Sequence, residues 1–276
     1  MLKKVFDEVW AFDAEWVPDP VTGRRTYGLP ADMSDDDVLA HMYREGGATE
    51  ENPRPFLKTM VCRVVSVAAL IRKAHGGTVK LSLLALPKPD DGMGTEASVI
   101  ERFLSGVGKT RPQLVGFNSI DADLVILSQR ALVHRLSIPK FAARPNKPWE
   151  GADYFANGSD YNVDLKKEMS AWGKGTPSLH EAATACGIPG KMGTTGLDVA
   201  DMWRDGEIRK IVAYNECDAI TTYLLWLRCA LLGGHVTPEG HAAEEAQLEH
   251  FLEDRAQRAD GAHLGEFLTA WRALRA

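Results

Sequence analysis

The fold is decided by residues 9–16, which read Val-Trp-Ala-Phe-Asp-Ala-Glu-Trp. Apolar and polar positions alternate here and aromatic residues are frequent, a pattern that predicts a β-strand. Residues two apart on a strand project from the same face, so the carboxylates of Asp13 and Glu15 point the same way. Inside a folded sheet unpaired acids are costly, and a bound cation would offset that cost. For this acidic pair alone, however, a solvated strand face is the better explanation.

The next segments predict a sheet followed by helices. Residues 61–73 and 79–86 are apolar and flank a His-Gly-Gly turn, which predicts an antiparallel hairpin. A helix capped by Thr95 and running to about residue 107, a short buried strand at 113–117 and a helix at 122–136 follow. Residues 17–55, rich in proline and glycine, are predicted to form a long excursion with one short helix after Ser34. This order predicts an α/β fold in which helices cover a mixed sheet.

The second half of the chain is predicted to be helical. Residues 141–161 are rich in proline, glycine and aromatic residues and are expected to form an irregular connection. The predicted helices are 165–172, 178–186, 199–203, 208–232 and 242–274, the last broken near Gly261. The C-terminal segment has helical periodicity and is expected to pack on the core or against a second subunit. The sequence does not decide between these two, and the oligomeric state stays unknown.

Composition narrows the class of protein. The chain has 276 residues, of which 45% are hydrophobic and 25% charged, so a folded core is expected. The four cysteines do not have the spacing of metal ligands. They are expected to be reduced thiols, as in a cytoplasmic protein. The apolar runs are too short to span a bilayer and no signal-peptide core follows the N-terminus, so no membrane partner is expected. A net charge of −6 argues against a broad nucleic-acid-binding surface, since such surfaces are usually basic. The argument is weak, because a cluster of metal-ligating carboxylates is itself acidic and bound cations reverse its local charge.

Two further acidic patterns follow the first. Residues 114–118 read Leu-Val-Gly-Phe-Asn, a strand leaving the core, and Asp123 lies in the opening of the next helix. Later, Tyr214 and Asp218 are four residues apart in a helical segment, so they share one face. Taken alone, Asp123 is equally explained as an acid that stabilises a helix N-terminus, and the later pair as a buried tyrosine beside a surface acid. Asp164 is likewise predicted to be an N-terminal helix acid that could extend the acidic site.

Together, the ordered patterns resemble the DEDD superfamily of 3′→5′ exonucleases, in particular the exonuclease domain of family-B DNA polymerases and its stand-alone bacterial relatives. The resemblance covers residues 9–228 and includes the stretch 176–193, which is similar to the region before the third motif. It implies a ribonuclease-H-like exonuclease domain over residues 1–232, followed by a helical extension over residues 233–276.

The resemblance also implies roles for individual residues. Four acids match the metal ligands of the superfamily: Asp13, Glu15, Asp123 and Asp218. Tyr214 matches the tyrosine of the tyrosine branch (DEDDy), because Ala213 occupies the histidine position of the other branch. Asn118 matches an asparagine near the substrate strand, whereas Ala122 replaces an aromatic residue that polymerase relatives often carry.

The expected activity is hydrolysis of single-stranded DNA from its 3′ end with two Mg²⁺ or Mn²⁺ ions, for which oxygen-rich carboxylate sites are suited. Tyr214 is expected to orient the attacking water, since its unperturbed pKa is about 10. Lys191, on a glycine-rich turn, is the better candidate for a phosphate contact, whereas residues 166–167, 174 and 209–210 are predicted on solvated helix faces. Two alternatives stay open: an exoribonuclease acting on RNA 3′ ends, and a catalytically inactive nuclease fold that serves as a binding module.

Overall fold

The computed structural model describes residues 2–88, 94–147, 149–170, 173, 175–193, 196 and 198–275. Within these residues, one five-stranded sheet has the order β3-β2-β1-β4-β5. The strands are β1 (Glu8–Pro18), β2 (Cys62–His75), β3 (Thr78–Leu86), β4 (Gln113–Gly116) and β5 (Asn162–Asp164). β1, β2 and β3 pair antiparallel, whereas β4 runs parallel to β1 and β5 parallel to β4. The predicted α/β fold with a mixed, ribonuclease-H-like sheet is therefore confirmed.

Helices cover both faces of this sheet. The first six are α1 (Pro20–Tyr27), α2 (Asp35–Glu45), α3 (Glu96–Thr110), α4 (Asp123–Val133), α5 (Pro139–Ala142) and α6 (Leu165–Met169). The remaining helices of the described residues are α7 (Leu179–Ala185), α8 (Asp198–Arg204), α9 (Ile208–Leu232), α10 (Pro238–Ala256) and α11 (Ala262–Arg275). Most agree with the sequence prediction within a few residues, and Ser34 and Thr95 do cap their helices. Trp172 and Lys174, which the prediction had included, lie outside the described residues.

The alternation of β1 divides the core into two layers. Val9 and Ala11 pack with α9 and the C-terminal helices, whereas Trp10 and Phe12 pack with α3 and α4. Side chains of a strand alternate between faces, so the odd-numbered residues of β1, including Asp13 and Glu15, face α9. α9 is 25 residues long and buried along much of its length, which makes it the central helix of that layer.

The C-terminal helices pack on α9 and the outer hairpin of the same chain. Their buried residues Leu248, Leu252, Leu264, Phe267, Leu268 and Trp271 belong to the same apolar cluster as α9. A buried ion pair joins β2 to α10, because Arg72 donates hydrogen bonds of 2.9 and 2.6 Å to Glu244. The Tyr223 hydroxyl donates a third bond of 2.8 Å to the same carboxylate. The buried carboxylate of Glu244 is therefore paired with a cation from β2 and a hydroxyl donor from α9.

Three elements depart from the sequence prediction, and one of them is the short helix α5, which overlaps the start of the connection predicted to be irregular. The excursion at 17–55 contains two helices, so the expectation of a single short helix is wrong. The missed helix, α1, is capped by the Asp19 side chain at its N-terminus and ends at Gly28, whose φ is +64°. β5 was also missed, since it has three residues and exists only through its pairing with β4. Among the described helices, none is both long and apolar enough to cross a bilayer.

Candidate active site

The acids of β1 and α9 meet in the space between the sheet and the helix. Ligand oxygens of Asp13, Glu15 and Asp218 lie within 4.8 Å of one another. Asp13 and Glu15 reach this point because both lie on the α9 face of β1, and Asp218 lies on α9 itself. Three carboxylate oxygens at this spacing form a donor set that suits a hard divalent cation such as Mg²⁺ or Mn²⁺.

Asp123 approaches the same strand from the side of β4. β4 pairs with β1 only as far as Ala11, which leaves the Ala14 amide without a strand partner on that side. The Asp123 carboxylate accepts a hydrogen bond of 3.0 Å from this amide. Asp123 is therefore fixed beside the strand segment that joins Asp13 to Glu15, and it is buried at 4% exposure.

Burial raises the pKa of every acid in the group, and repulsion by neighbouring acids raises it further for Asp13, Glu15 and Asp123. For Asp13 the main cause is burial, followed by the charges of Asp123, Glu15 and Asp218, and its pKa lies well above the ordinary value. The pKa of Glu15 is raised in the same direction, first by burial and then by neighbouring acids. Burial is also the largest cause for Asp123, with a pKa of about 7, and for Asp218, with a pKa of about 6. Such repulsion is relieved either by protons or by bound cations.

Tyr214 lies one helical turn before Asp218, and its hydroxyl is close enough to lower the pKa of that carboxyl. Burial, followed by the charges of Asp218, Glu15 and Asp13, raises the pKa of the Tyr214 hydroxyl far above its usual range. The phenol therefore stays protonated and neutral, and its hydroxyl can donate a hydrogen bond. A neutral donor next to an acid cluster can orient a bound water but is a poor proton acceptor.

The loop between β4 and α4 is held by Asp164. Its carboxylate accepts hydrogen bonds from the Asn118 amide at 2.9 Å and from the Ile120 amide at 3.1 Å. It also caps α6, as the sequence predicted, by accepting from the backbone amides of residues 166 and 167. Asn118 has a φ of +66°, a conformation that asparagine tolerates better than most residues. One buried carboxylate thus fixes both the loop that carries Asn118 and the start of α6.

Asn118 and Lys191 both line the cleft above the acids. The Asn118 side-chain oxygen accepts a hydrogen bond of 3.2 Å from the Lys166 ammonium, which leaves its amide hydrogens available to the cleft. Lys191 lies close enough to Glu15 and Asp218 for its charge to lower the pKa of both carboxyls. Its backbone amide donates to the His180 ring at 3.1 Å, which ties the turn to α7.

Residues 54–271 match a family described as predicted 3′-5′ exonucleases related to the exonuclease domain of PolB. The chain belongs to this PolB-related exonuclease family. No curated protein matches the sequence.

The family match and the acidic cluster overlap only in part. Asp123, Tyr214 and Asp218 lie inside the matched residues, whereas Asp13 and Glu15 precede them. The match also extends through α10 and most of α11, so these helices belong to the matched region of the PolB-related exonucleases. The assignment to the family therefore depends on residues 54–271. The position of Asp13 and Glu15 beside Asp218 is a separate observation, made from the structure.

The cleft of this member of the PolB-related family has a wall that sequence reasoning missed. Its volume is about 280 Å³, and the segment between α2 and β2 lines it through residues 54–57. Phe56 lines it and is 84% exposed. Arg54 is held by two hydrogen bonds of 2.9 and 3.0 Å to Asp201 of α8. Nothing in the local sequence marks Phe56, because only the fold brings residues 54–57 to the acids.

Proposed function

We propose that the protein hydrolyses single-stranded DNA from its 3′ end in a metal-dependent reaction. The observation that carries the proposal is the meeting of Asp13, Glu15 and Asp218 oxygens within 4.8 Å, in a chain of the PolB-related exonuclease family. Asp13 and Glu15 lie outside the residues matched by the family, so their position beside Asp218 supports the proposed activity independently of that match. The donor set is made of oxygens alone, as Mg²⁺ and Mn²⁺ prefer.

The four acids divide naturally into two groups of ligands. Asp13, Glu15 and Asp218 would hold one divalent ion, and Asp123 together with Asp13 would hold a second. When bound, two such ions supply an attacking water of lowered pKa and stabilise charge on the leaving oxygen. Bound cations also remove the repulsion that raises the pKa of these carboxyls in the metal-free chain.

The remaining residues of the cleft act on the water and on the nucleic acid. Tyr214, neutral and one helical turn before Asp218, orients the attacking water toward the phosphorus. Lys191 neutralises a phosphate, and the free amide hydrogens of Asn118 hold the last nucleotide. Phe56 offers an exposed aromatic face on which the terminal base stacks, which would replace the aromatic residue missing at Ala122.

A strand labelled at its 5′ end tests the proposal. With magnesium or manganese it should give a ladder of products that shorten one nucleotide at a time, and a chelator should abolish the ladder. A matched RNA strand distinguishes deoxyribonuclease from exoribonuclease activity, since the 2′-hydroxyl is the chemical difference between them. Internal cuts, or no cleavage of DNA while RNA is degraded, would contradict the proposed substrate and polarity.

A further inference from the structure

A second groove lies on the other side of the first turns of α9. It has a volume of about 1300 Å³, larger than the pockets of roughly 300–1,000 Å³ that hold small molecules. One wall consists of residues 82–85 of β3 with Ile71 of β2, and the other of the junction between α10 and α11. Its floor includes Ile208, Val212 and Ala213 of α9. The size and open form suit an extended polymer better than a compact ligand.

The groove is rich in cations although the whole chain carries a net charge of −6. Its basic residues are Lys88, Arg209, Lys210, Arg255 and Arg258, and its acids are Glu216, Asp260 and Glu266. The Glu216 carboxylate is already engaged by the His263 ring at 2.7 Å. Within the part of the chain that the structure describes, Lys88, Arg209 and Arg258 have no carboxylate partner. The side chains of these three cations are exposed, so their charges are available to a polyanion.

The groove and the cleft flank the same stretch of α9. Ala213 and Glu216 line the groove, whereas Tyr214 and Asp218 line the cleft, so one helix separates them. The sheet connects them as well, because Leu86 pairs with Val67, which pairs with Ala14 between the two strand acids. Neighbouring strands are about 4.8 Å apart, so Leu86, two residues before Lys88, lies on the order of 10 Å from Ala14 across the sheet.

We propose that this groove binds the sugar–phosphate backbone of the substrate strand on the 5′ side of the nucleotide being removed. The inference rests on the proposed function. If the 3′ end of the strand is bound at the acids, the 5′ part of the strand has to extend out of the cleft. A stacked strand advances about 3.4 Å per nucleotide, so the straight separation of about 10 Å sets a minimum of roughly three nucleotides between the acids and the groove. Phosphates beyond that point contact Arg209 and Arg258, and the apolar floor receives bases.

The test removes two exposed charges and measures salt dependence. Binding of a 5′-fluorescent hexadecanucleotide is measured by anisotropy in chelator, with the wild type, the double variant Arg209→Gln/Arg258→Gln and the control Arg25→Gln. Arg25 is an exposed arginine of α1 that lines neither the cleft nor the groove. Each lost phosphate contact lowers the slope of log affinity against log salt by about 0.7 for single strands, so the double variant should lose about 1.4. A fourfold increase in salt concentration should then weaken binding by the wild type about sevenfold more than it weakens binding by the variant.

Release of the 3′ nucleotide in manganese provides the second measurement. The double variant should show a higher KM for the hexadecanucleotide, but the same rate as the wild type on a dinucleotide, whose single step of about 3.4 Å is too short to reach the groove. Unchanged affinity and salt slope in the double variant would overturn the inference, as would an equal loss on both substrates. A wild type that binds the long strand with the predicted slope but releases no nucleotide would instead contradict the proposed function.

Discussion

The Ala14 amide donates a hydrogen bond of 3.0 Å to the Asp123 carboxylate, across 109 residues of sequence. Ala14 lies between the two acids of β1, and its amide lacks a strand partner because β4 pairs with β1 only as far as Ala11. One side chain thus satisfies the backbone of the strand and adds a fourth acid to the site. The two roles can be separated by substitution.

Asp123→Asn and Asp123→Ala should differ in stability although both remove the charge. Asparagine keeps an oxygen that accepts from the Ala14 amide, whereas alanine leaves this amide without a partner. A buried unsatisfied donor costs about 1–3 kcal/mol, so the alanine variant should have the lower free energy of unfolding by that amount. Urea unfolding at about pH 5 measures the difference. Equal stability of the two variants would mean that the hydrogen bond contributes nothing.

The stability of the metal-free protein should fall as pH rises. The pKa of Asp123 is about 7 and that of Asp218 about 6, both above the unfolded value of about 4. Between about pH 4 and 7 the folded chain therefore binds more protons than the unfolded chain, and the free energy of unfolding decreases through this window. One such group contributes at most about 1.4 kcal/mol per pH unit.

The difference between the wild type and Asp123→Asn isolates this effect from the other titrating groups. Urea unfolding in chelator at about pH 5 and pH 8 should show a steeper loss of stability in the wild type than in Asp123→Asn. Manganese should restore the wild type at the higher pH, because cations replace the protons. Parallel pH profiles of the two proteins would contradict the raised pKa of Asp123.

Tyr214→Phe removes one hydroxyl and keeps the ring. Groups that orient water or transfer protons typically contribute about 10²- to 10⁴-fold in rate, so turnover should fall by that factor. The manganese concentration that gives half-maximal activity should stay nearly unchanged, since Tyr214 is not a ligand. Asp218→Ala should lose more activity and also require more metal. A Tyr214→Phe variant with normal turnover would reduce Tyr214 to a packing residue.

Phe56→Ala tests the exposed aromatic face of the cleft. Stacking of a base on an aromatic side chain is worth about 1–3 kcal/mol, so KM for a single strand should rise about 5- to 150-fold. Phe56→Trp should keep the affinity. Trp149, which is 79% exposed and does not line the cleft, gives the matched control Trp149→Ala. If Phe56→Ala and Trp149→Ala behave alike, Phe56 does not contact the substrate.

Much of this architecture follows from local patterns in the sequence. The alternation at 9–16 predicts β1 and the shared face of Asp13 and Glu15, because strand periodicity is a property of the backbone. The predicted helix at 208–232 has the same bounds as α9. Its long apolar pattern, which carries Tyr214 and Asp218 one turn apart, is enough to define it without tertiary information.

Other features depend on contacts between distant residues and left no local signal. β5 has three residues and gains its hydrogen bonds only beside β4. The sequence predicts that Asp164 caps a helix, which is correct, but its bonds to the Asn118 and Ile120 amides span more than 40 residues. Phe56 likewise reaches the cleft only because the fold brings residues 54–57 to the acids. Such contacts are tertiary, and periodicity does not encode them.

Release of a labelled nucleotide from the 3′ end of a single DNA strand in manganese, by the wild type and by Asp13→Ala, tests the central claim most directly. Burial and then the charges of three acidic neighbours raise the pKa of Asp13, so replacing this side chain relieves repulsion and the metal-free melting temperature should hold or rise. The account predicts rapid release by the wild type, none in chelator, and a loss with Asp13→Ala larger than the roughly 10²- to 10⁴-fold expected for Tyr214→Phe. Equal release by both proteins, or release that persists in chelator, would contradict it.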